Sequence, residues 1–419
     1  MIAPPLADRP PLSTGRLAAA VVALALGGFA IGTTEFVTMG LLPDLAEGVG
    51  IDIPTAGHVI SVYALGVVVG APVIAALATK LPRRGLLVGL MAAFVAGNVF
   101  TALAPGYGSL LAARFVAGLP HGAYFGVASL VAASLVAPHL RGRAVSSVML
   151  GLALANVAGV PSATWLGQQY GWRTAYWAVA GVALLTMAAV TAVVPAAPGN
   201  RAATVRSELG ALRRPQVLLT LLVGVVGFGG MFAVYSYIAP LVTDVTGMSR
   251  GAIPLVLLAF GLGGVLGTAL GGRLADRALF RSLVGANVVT GVLLALVPVA
   301  ARTPLTIVAV IFLFATSASV LVVCLQLRLM EVAGEAQMLG AALNHSALNA
   351  ANALGAWLGG LVIAAGLGYT APGWVGAALA AAGLVALAAS AVLRRRELTA
   401  AAVPAVAPAP AQAEPAAVR

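Results

Sequence analysis

Charge is what this sequence has least of. Asp, Glu, Lys and Arg make up 8% of its 419 residues, against roughly 25% in ordinary soluble proteins. A soluble domain of this size must turn its exterior to water, so the shortage excludes one. Cysteine is nearly absent. Cys324 stands alone in an apolar run, which rules out an intramolecular disulfide and leaves no metal or redox pattern to read. There is no Gly-x-x-x-x-Gly-Lys-Ser/Thr loop to cradle a nucleotide, and no polar stretch long enough for a nucleotide-binding or catalytic domain. Neither an enzyme nor a cofactor or metal site is expected, and any work must be driven by an ion gradient or the substrate's own gradient. The formal net charge of +11 invites a nucleic-acid reading. The basic residues sit singly or in short clusters between apolar runs, however, so nucleic acid is excluded as a partner.

What the sequence has is apolar length. Hydrophobic residues make up 61% of it. A transmembrane helix needs about 20 apolar residues to cross about 30 Å of hydrocarbon. Twelve stretches qualify: 17–42, 56–79, 85–104, 108–136, 144–167 and 174–194, then 215–241, 252–275, 282–301, 304–327, 337–365 and 373–393. The splits near Pro105 and Pro304 leave very short loops. Arg9 and Arg16 precede the first stretch, but it is far longer than the roughly 7–15 residues of a signal-peptide core, so it reads as a retained span. These runs predict an all-α membrane protein of twelve transmembrane helices.

Loops after even-numbered spans carry Lys80, Arg83 and Arg84, then Arg141 and Arg143, then Arg201, Arg206, Arg213 and Arg214, then Arg277 and Arg281. Arg394, Arg395 and Arg396 follow the last span. Loops after odd spans carry Arg173, Arg250 and Arg302 beside Asp44, Glu47, Asp52 and Asp244. The loop with Arg328, Glu331 and Glu335 is mixed. Because positive residues stay on the cytoplasmic side, both termini are expected there, in a bacterial-type cytoplasmic membrane. The chain also repeats. Stretch 75–84 (AALATKLPRR) and stretch 272–281 (GRLADRALFR) align Thr79 with Asp276, 197 residues apart. A parallel repeat of this kind marks one class of transporter. The expected organisation is a cytoplasmic tail at 1–16, six-helix bundles at 17–194 and 215–393, a cytoplasmic linker at 195–214 and an Ala/Pro-rich disordered tail at 394–419.

Several of these stretches resemble the major facilitator superfamily. The run at 272–281 looks like the signature after spans two and eight, and the run from Arg114 to Gly118 resembles the fourth-span signature of its drug:proton antiporters. Gly151 to Gly167, with Gly159-Val-Pro161, looks like the antiporter signature of span five, and Gly171-Trp172-Arg173 follows it as is common there. The opening from Gly32 to Pro43 is similar to the twelve-span branch of arabinose-polymer and drug efflux proteins. The resemblance covers nearly the whole chain and implies two pseudo-symmetric six-helix bundles around a central cavity. It also implies cytoplasmic gating loops at Thr79, Arg83, Arg84, Asp276, Arg277 and Arg281. Thr79 stands where the family has an aspartate and Pro82 where it has a glycine, so the first-half latch is weaker or built from other groups. A valine between the span-five glycine and proline departs from the antiporter pattern.

Two formal charges lie well inside the spans, Glu35 and Arg114, where a charge costs roughly 2.5–3.5 kcal/mol. Each sits about 10 Å below the same membrane surface at 1.5 Å per residue, so they can face one another. Glu35 is expected to exchange the coupling proton, with Arg114 or an arriving cation switching its occupancy. The alternatives are a fixed Glu–Arg pair that orients two helices, or a Glu35 that snorkels outward. His121 lies two turns beyond Arg114 on the same face and either relays protons or hydrogen-bonds between helices. Adding 197 to 35 and 114 reaches Phe232 and Ile311, so the ionisable machinery belongs to the first half.

Candidate cavity residues are Tyr124, Asn156, Phe228, Phe232, Tyr235, Asn344, His345 and Asn349. Phe228, Phe232 and Tyr235 share a helical face suited to flat or cationic compounds, or to packing alone. His345, Asn349 and Asn352 share another, suited to interhelical hydrogen bonds or to substrate. Gly118 and Gly122 are expected to let helices approach closely. The resemblance thus implies proton-coupled efflux of small hydrophobic compounds, with protons and a small molecule as partners and a monomer as the working unit. Sugar or metabolite export, uptake symport, a channel and a non-transporting sensor or scaffold are the alternatives.

Overall fold

The computed structural model describes residues 13–78, 81–137, 140–196, 214–333 and 337–402. Thr79, most of the expected linker and the chain beyond residue 402 lie outside them. Among the described residues the secondary structure is helical, with no strand. In lipid a helix is favoured because every backbone group finds its partner within the segment.

The first half holds α1 (Thr14–Gly40), the short α2 (Leu42–Val49), α3 (Ile53–Ala78), α4 (Arg83–Leu103) and α5 (Tyr107–Ser134). α6 runs from Arg141 to Tyr170 through a π turn at Ala155–Gly159, and α7 spans Trp172–Val193. Gly171 separates these last two at φ 92, a conformation that suits glycine. In the second half α8 (Pro215–Tyr235) carries its own π turn at Val223–Gly227. It is followed by α9 (Ile253–Ala300), α10 (Pro304–Ala333), α11 (Gln337–Val362) and α12 (Ala371–Ala402). The breaks expected near Pro105 and Pro304 fall between Leu103 and Tyr107 and between Ala300 and Pro304.

Eleven of the described helices are long and apolar enough to span a membrane, and α9 does so twice. Its 48 residues would reach about 72 Å if straight, more than twice the hydrocarbon thickness. At Ala278 the backbone is extended (φ −163, ψ 77), and Ser282 Oγ donates to the Leu274 carbonyl at 2.8 Å. Eight residues of straight helix would hold those groups about 12 Å apart, so the chain doubles back there. The protein is a multi-pass membrane protein, and its described helices supply twelve crossings in two six-helix bundles. The sequence suggested a loop over 276–281, yet helix continues up to the single break. Good helix formers such as Leu, Ala and Arg, with no proline, explain the continuation.

Small residues set the packing. A methyl group at Gly118 on α5 would overlap the Tyr63 carbonyl of α3, and one at Gly66 would overlap the Phe115 carbonyl. One at Gly70 would meet the Leu119 backbone. α3 and α5 therefore touch backbone to backbone, as small residues permit in lipid. Gly122, by contrast, faces the Ala71 side chain. Polar ties complete each bundle: Thr34 donates to Asn98, Thr38 meets the Tyr176 hydroxyl at 2.7 Å, and the Tyr124 hydroxyl donates to the Leu24 carbonyl at 2.9 Å. In the second half Asn287 donates to the Ala380 carbonyl and Thr290 meets Ser317, both at 2.8 Å.

The two ends of the molecule differ in charge. One, the acidic end, carries Asp44, Glu47, Asp52 and Asp244. The other, the basic end, carries Arg83, Arg84, Arg277, Arg281 and Arg394. Hydrogen bonds between described residues join the halves from the acidic end to mid-membrane. Arg250 donates to Asp44, Gln168 donates to the Arg250 carbonyl at 2.9 Å, and Ser61 donates to the Ala353 carbonyl at 3.1 Å.

Candidate functional site

Glu35 and Arg114 are buried, at 6% and 0% exposure. They sit in the middle of the seam between α1, α3, α5 and α11. Arg114 does not ion-pair with Glu35: among the described residues no such pair lies within 4.0 Å. Its Nη2 donates to the Thr34 carbonyl at 3.3 Å, and its guanidinium lies 4.2 Å from the centre of the Tyr63 ring and 5.5 Å from that of Tyr176. Arginine on an aromatic face is favourable when both are desolvated. Arg114 Nε and Nη1 are buried without a hydrogen-bond partner, which is costly unless another state of the protein supplies an acceptor.

Glu35 looks the other way, across the seam. Asn352 of α11 donates to its Oε1 at 3.5 Å, and His121 Nε2 lies 4.0 Å from its Oε2. The opposite ring nitrogen of His121, Nδ1, meets the Tyr63 hydroxyl at 3.1 Å. A continuous chain of groups thus runs Arg114, Tyr63, His121, Glu35, Asn352, four from the first half and one from the second. The seven-residue spacing of Arg114 and His121 holds both on one face of α5, and Tyr63 bridges them because α3 crosses α5 at glycine contacts.

Beside this chain the halves meet through aromatic rings. Phe36 of α1 stacks on Phe232 at 6.4 Å and meets Tyr235 edge-on at 6.0 Å. Phe228 packs on Phe232, Tyr235 stacks on Phe260 at 3.9 Å, and Phe260 meets Phe314. On the basic side of Glu35, His345 stacks on Phe125 at 5.9 Å, and Phe125 lies 5.5 Å from His121. Asn156, in the α6 π turn, donates to the Leu152 carbonyl at 3.1 Å, and Asn349 donates to the His345 carbonyl at 3.0 Å. Both leave a buried oxygen unpartnered, and Asn344 is buried with neither amide atom paired. Tyr124 meets Phe125 edge-on at 6.2 Å, and its hydroxyl is tied to α1. An apolar groove of about 790 Å³ includes Phe29, Thr33, Trp165 and Leu255. Thr33 and Glu35, two residues apart on α1, face nearly opposite ways, so the groove is not part of this site.

Sequence reasoning missed Tyr63, Phe36 and Phe260. A tyrosine three residues before Gly66, in a span that otherwise reads as apolar filler, was the available signal. Phe36, adjacent to Glu35, carried none beyond its neighbour.

The family model described as Major Facilitator Superfamily matches residues 24–341. The chain belongs to the major facilitator superfamily. It is 43% identical over 350 residues to the inner membrane transport protein YdhP of Escherichia coli K12, covering 84% of this chain and 90% of that one. It is 36% identical over 370 residues to a chloramphenicol resistance protein of Streptomyces lividans, covering 86% and 93%. It is 30% identical over 368 residues to the "Probable sugar efflux transporter" of Helicobacter pylori G27, covering 88% and 93%. The protein is a membrane transporter rather than an enzyme.

For a major facilitator protein the contacts that close one end of the seam matter as much as the centre. Asp44, at the first turn of α2, is 17% exposed and pairs with Arg250, which is 55% exposed. Burial pushes the Asp44 carboxyl above the usual carboxylate range, with Arg250 opposing the shift. Burial and the Arg250 pair thus act in opposite directions on this carboxyl. A partly exposed ion pair contributes up to about 1 kcal/mol, so its loss should change the open fraction of this end about fivefold. Asp44→Asn, in a Ser61→Cys, Cys324→Ser background in detergent solution, should raise the rate of maleimide labelling at position 61 by that factor. Equal rates in both proteins at neutral pH would remove the latch. At the basic end, Arg84 donates to the Val194 carbonyl at 3.4 Å, Arg83 is half-buried, and Asp276, Arg277 and Arg281 are exposed.

Proposed function

We propose that this transporter exports small, largely apolar and aromatic compounds in exchange for protons, by rocking two bundles, 17–194 and 215–393, about the seam. The observation that carries the reading is Glu35, a carboxyl buried at that seam and touched from the other half by Asn352. An ionisable group at such a depth is functional by default. The basic end is cytoplasmic by the distribution of arginine, with both termini on that side. The acidic end then faces outward, and the hydrogen bonds across the seam hold that side closed.

Arg114 gives Glu35 two places to be. A protonated Glu35 carries no charge and rests against Asn352, tying α1 to α11. Once the proton leaves, the carboxylate is drawn to the unpartnered Nε and Nη1 of Arg114, and the tie to α11 is released. The protonation state of one group thereby selects whether α1 belongs with its own half or bridges to the other. The aromatic rings of α8 that face Phe36 suit a flat substrate, and export of such a compound agrees with the resistance named for the Streptomyces relative. One copy contains every group in the chain from Arg114 to Asn352, so a monomer suffices.

A second reading, export of a sugar, is favoured by the unpartnered amide atoms of Asn156, Asn344 and Asn349. Proteoliposomes with a preset proton gradient and a lumenal pH dye distinguish the two. Aromatic antibiotics should dissipate the gradient and sugars should not. Dissipation by sugars alone supports the second reading, and labelled compound that equilibrates without proton movement overturns the coupling.

A further inference from the structure

A second tyrosine–histidine pair joins α3 to α5 nearer the acidic end. His58 Nδ1 lies 2.7 Å from the Tyr107 hydroxyl, and both side chains are partly exposed. This pair mirrors the deeper one: histidine stands on α3 and tyrosine on α5, whereas Tyr63 stands on α3 and His121 on α5. His58 precedes Tyr63 by five residues, about 7.5 Å along the axis, and Tyr107 precedes Arg114 by seven, about 10 Å. The upper pair therefore lies nearer the acidic end than the lower on the same two helices.

We infer that His58, paired with Tyr107, is the group that collects protons at the acidic end and passes them towards Glu35. The inference rests on the proposed coupling role of Glu35. His58 takes a proton from water at its ring nitrogen. Through the water admitted when this end opens, the proton reaches the Tyr63 hydroxyl, which accepts one proton and donates another to His121 Nδ1. His121 then gives its Nε2 proton to the Glu35 carboxylate. One proton enters the chain and one arrives; Tyr63 ends with one O–H proton as before, and His121 passes from its Nε2–H to its Nδ1–H tautomer, which a flip of the ring resets before the next transfer. An imidazole suits the task because one ring nitrogen can bind a proton while the other holds its hydrogen-bond partner.

The charges around His58 support collection. Asp52 lies six residues before it at the start of α3. The Thr55 side chain, the Thr55 backbone N–H at 2.9 Å from its Oδ1, and the neighbouring His58 hold its carboxyl below the usual carboxylate range, so it stays anionic in mild acid. Of the elements packed on α3, α2 carries Asp44 and Glu47, α1 carries Glu35, α5 carries Tyr107, Arg114 and His121, and α11 carries His345. Tyr237 of the second half lies against Gly57. The fixed cations of these elements are Arg16, at the basic end of α1, and Arg114, which lies beyond His58 towards the centre.

The pair could instead be a staple between two helices, and the test separates these roles. Purified full-length protein in detergent is mixed rapidly into mildly acidic, weakly buffered medium with a soluble pH indicator, and proton uptake is followed. Glu35→Gln defines the uptake that belongs to Glu35. In His58→Gln that component should keep its size but slow at least about tenfold, a modest share of what a positioned proton-transfer group supplies. Its rate should recover as the medium is made more acidic. Tyr107→Phe, which breaks the pair but keeps the imidazole, should stay close to wild type. An unchanged rate in His58→Gln overturns the inference. So does equal slowing in both variants without recovery in acid, which is the behaviour of a staple. If Glu35→Gln keeps the full uptake, the coupling reading itself falls and this inference falls with it.

Discussion

Glu35→Gln should leave a protein that moves its substrate downhill but no longer concentrates it. Glutamine preserves the shape of the side chain and still accepts a hydrogen bond from Asn352, so folding should be kept. It cannot bind and release a proton, and it offers Arg114 no charge. Each proton exchanged against 100 mV is worth about 2.3 kcal/mol, which corresponds to roughly a 40-fold concentration ratio. That ratio should vanish in the variant, while exchange of labelled for unlabelled substrate survives in the same proteoliposomes. Transport with unchanged accumulation and unchanged pH dependence would return Glu35 to a structural role.

Gly118→Val should have an effect of a different kind, on whether the first bundle assembles. At this position even a β-carbon overlaps the Tyr63 carbonyl and approaches the Gly66 backbone. These are backbone atoms, which cannot step aside as a flexible side chain can. Overpacking ordinarily costs about 1–3 kcal/mol, and here α3 and α5 must separate, so the cost should exceed that range. The expected result is loss of the monodisperse peak in size-exclusion chromatography and a marked fall in Tm. Gly126 lies on the same helix, and a β-carbon there would meet nothing within 4 Å, so Gly126→Val should behave as wild type. A Gly118→Val protein that elutes and melts normally would show that the close crossing is dispensable.

The architecture was readable because bilayer thickness imposes a length on each apolar run. The reversal inside α9 shows the limit of that reading. Residues 272–281 contain no proline, so hydropathy marks a gap there while the backbone stays helical up to Ala278. The site was readable to a lesser depth. Charge within an apolar run draws attention to Glu35 and Arg114, and counting residues puts them at one level. Counting does not say which way a side chain turns. Arg114 turns to Tyr63 and the Thr34 carbonyl, and Glu35 turns to Asn352, 317 residues along the chain. That second contact depends on how two bundles dock, which no local pattern encodes. Tyr63 was missed for a related reason, since its place between Arg114 and His121 follows from where α3 and α5 cross.

The contacts from α3 through to α11 form a gradient of stiffness. At the α3–α5 crossing, backbone rests on backbone with no compressible side chain between. Outward from it the joints become an aromatic face, then a 3.1 Å hydrogen bond, then a single 3.5 Å bond to Asn352. A machine that must part repeatedly along one surface needs its softest joint there, as a mechanical fuse protects what lies behind it. Strain applied from either bundle is then released at the seam, where Asn352 and the Ala353 carbonyl are each held by one hydrogen bond, before it can distort Tyr63 or Arg114, and the first half can return to the same geometry after every cycle.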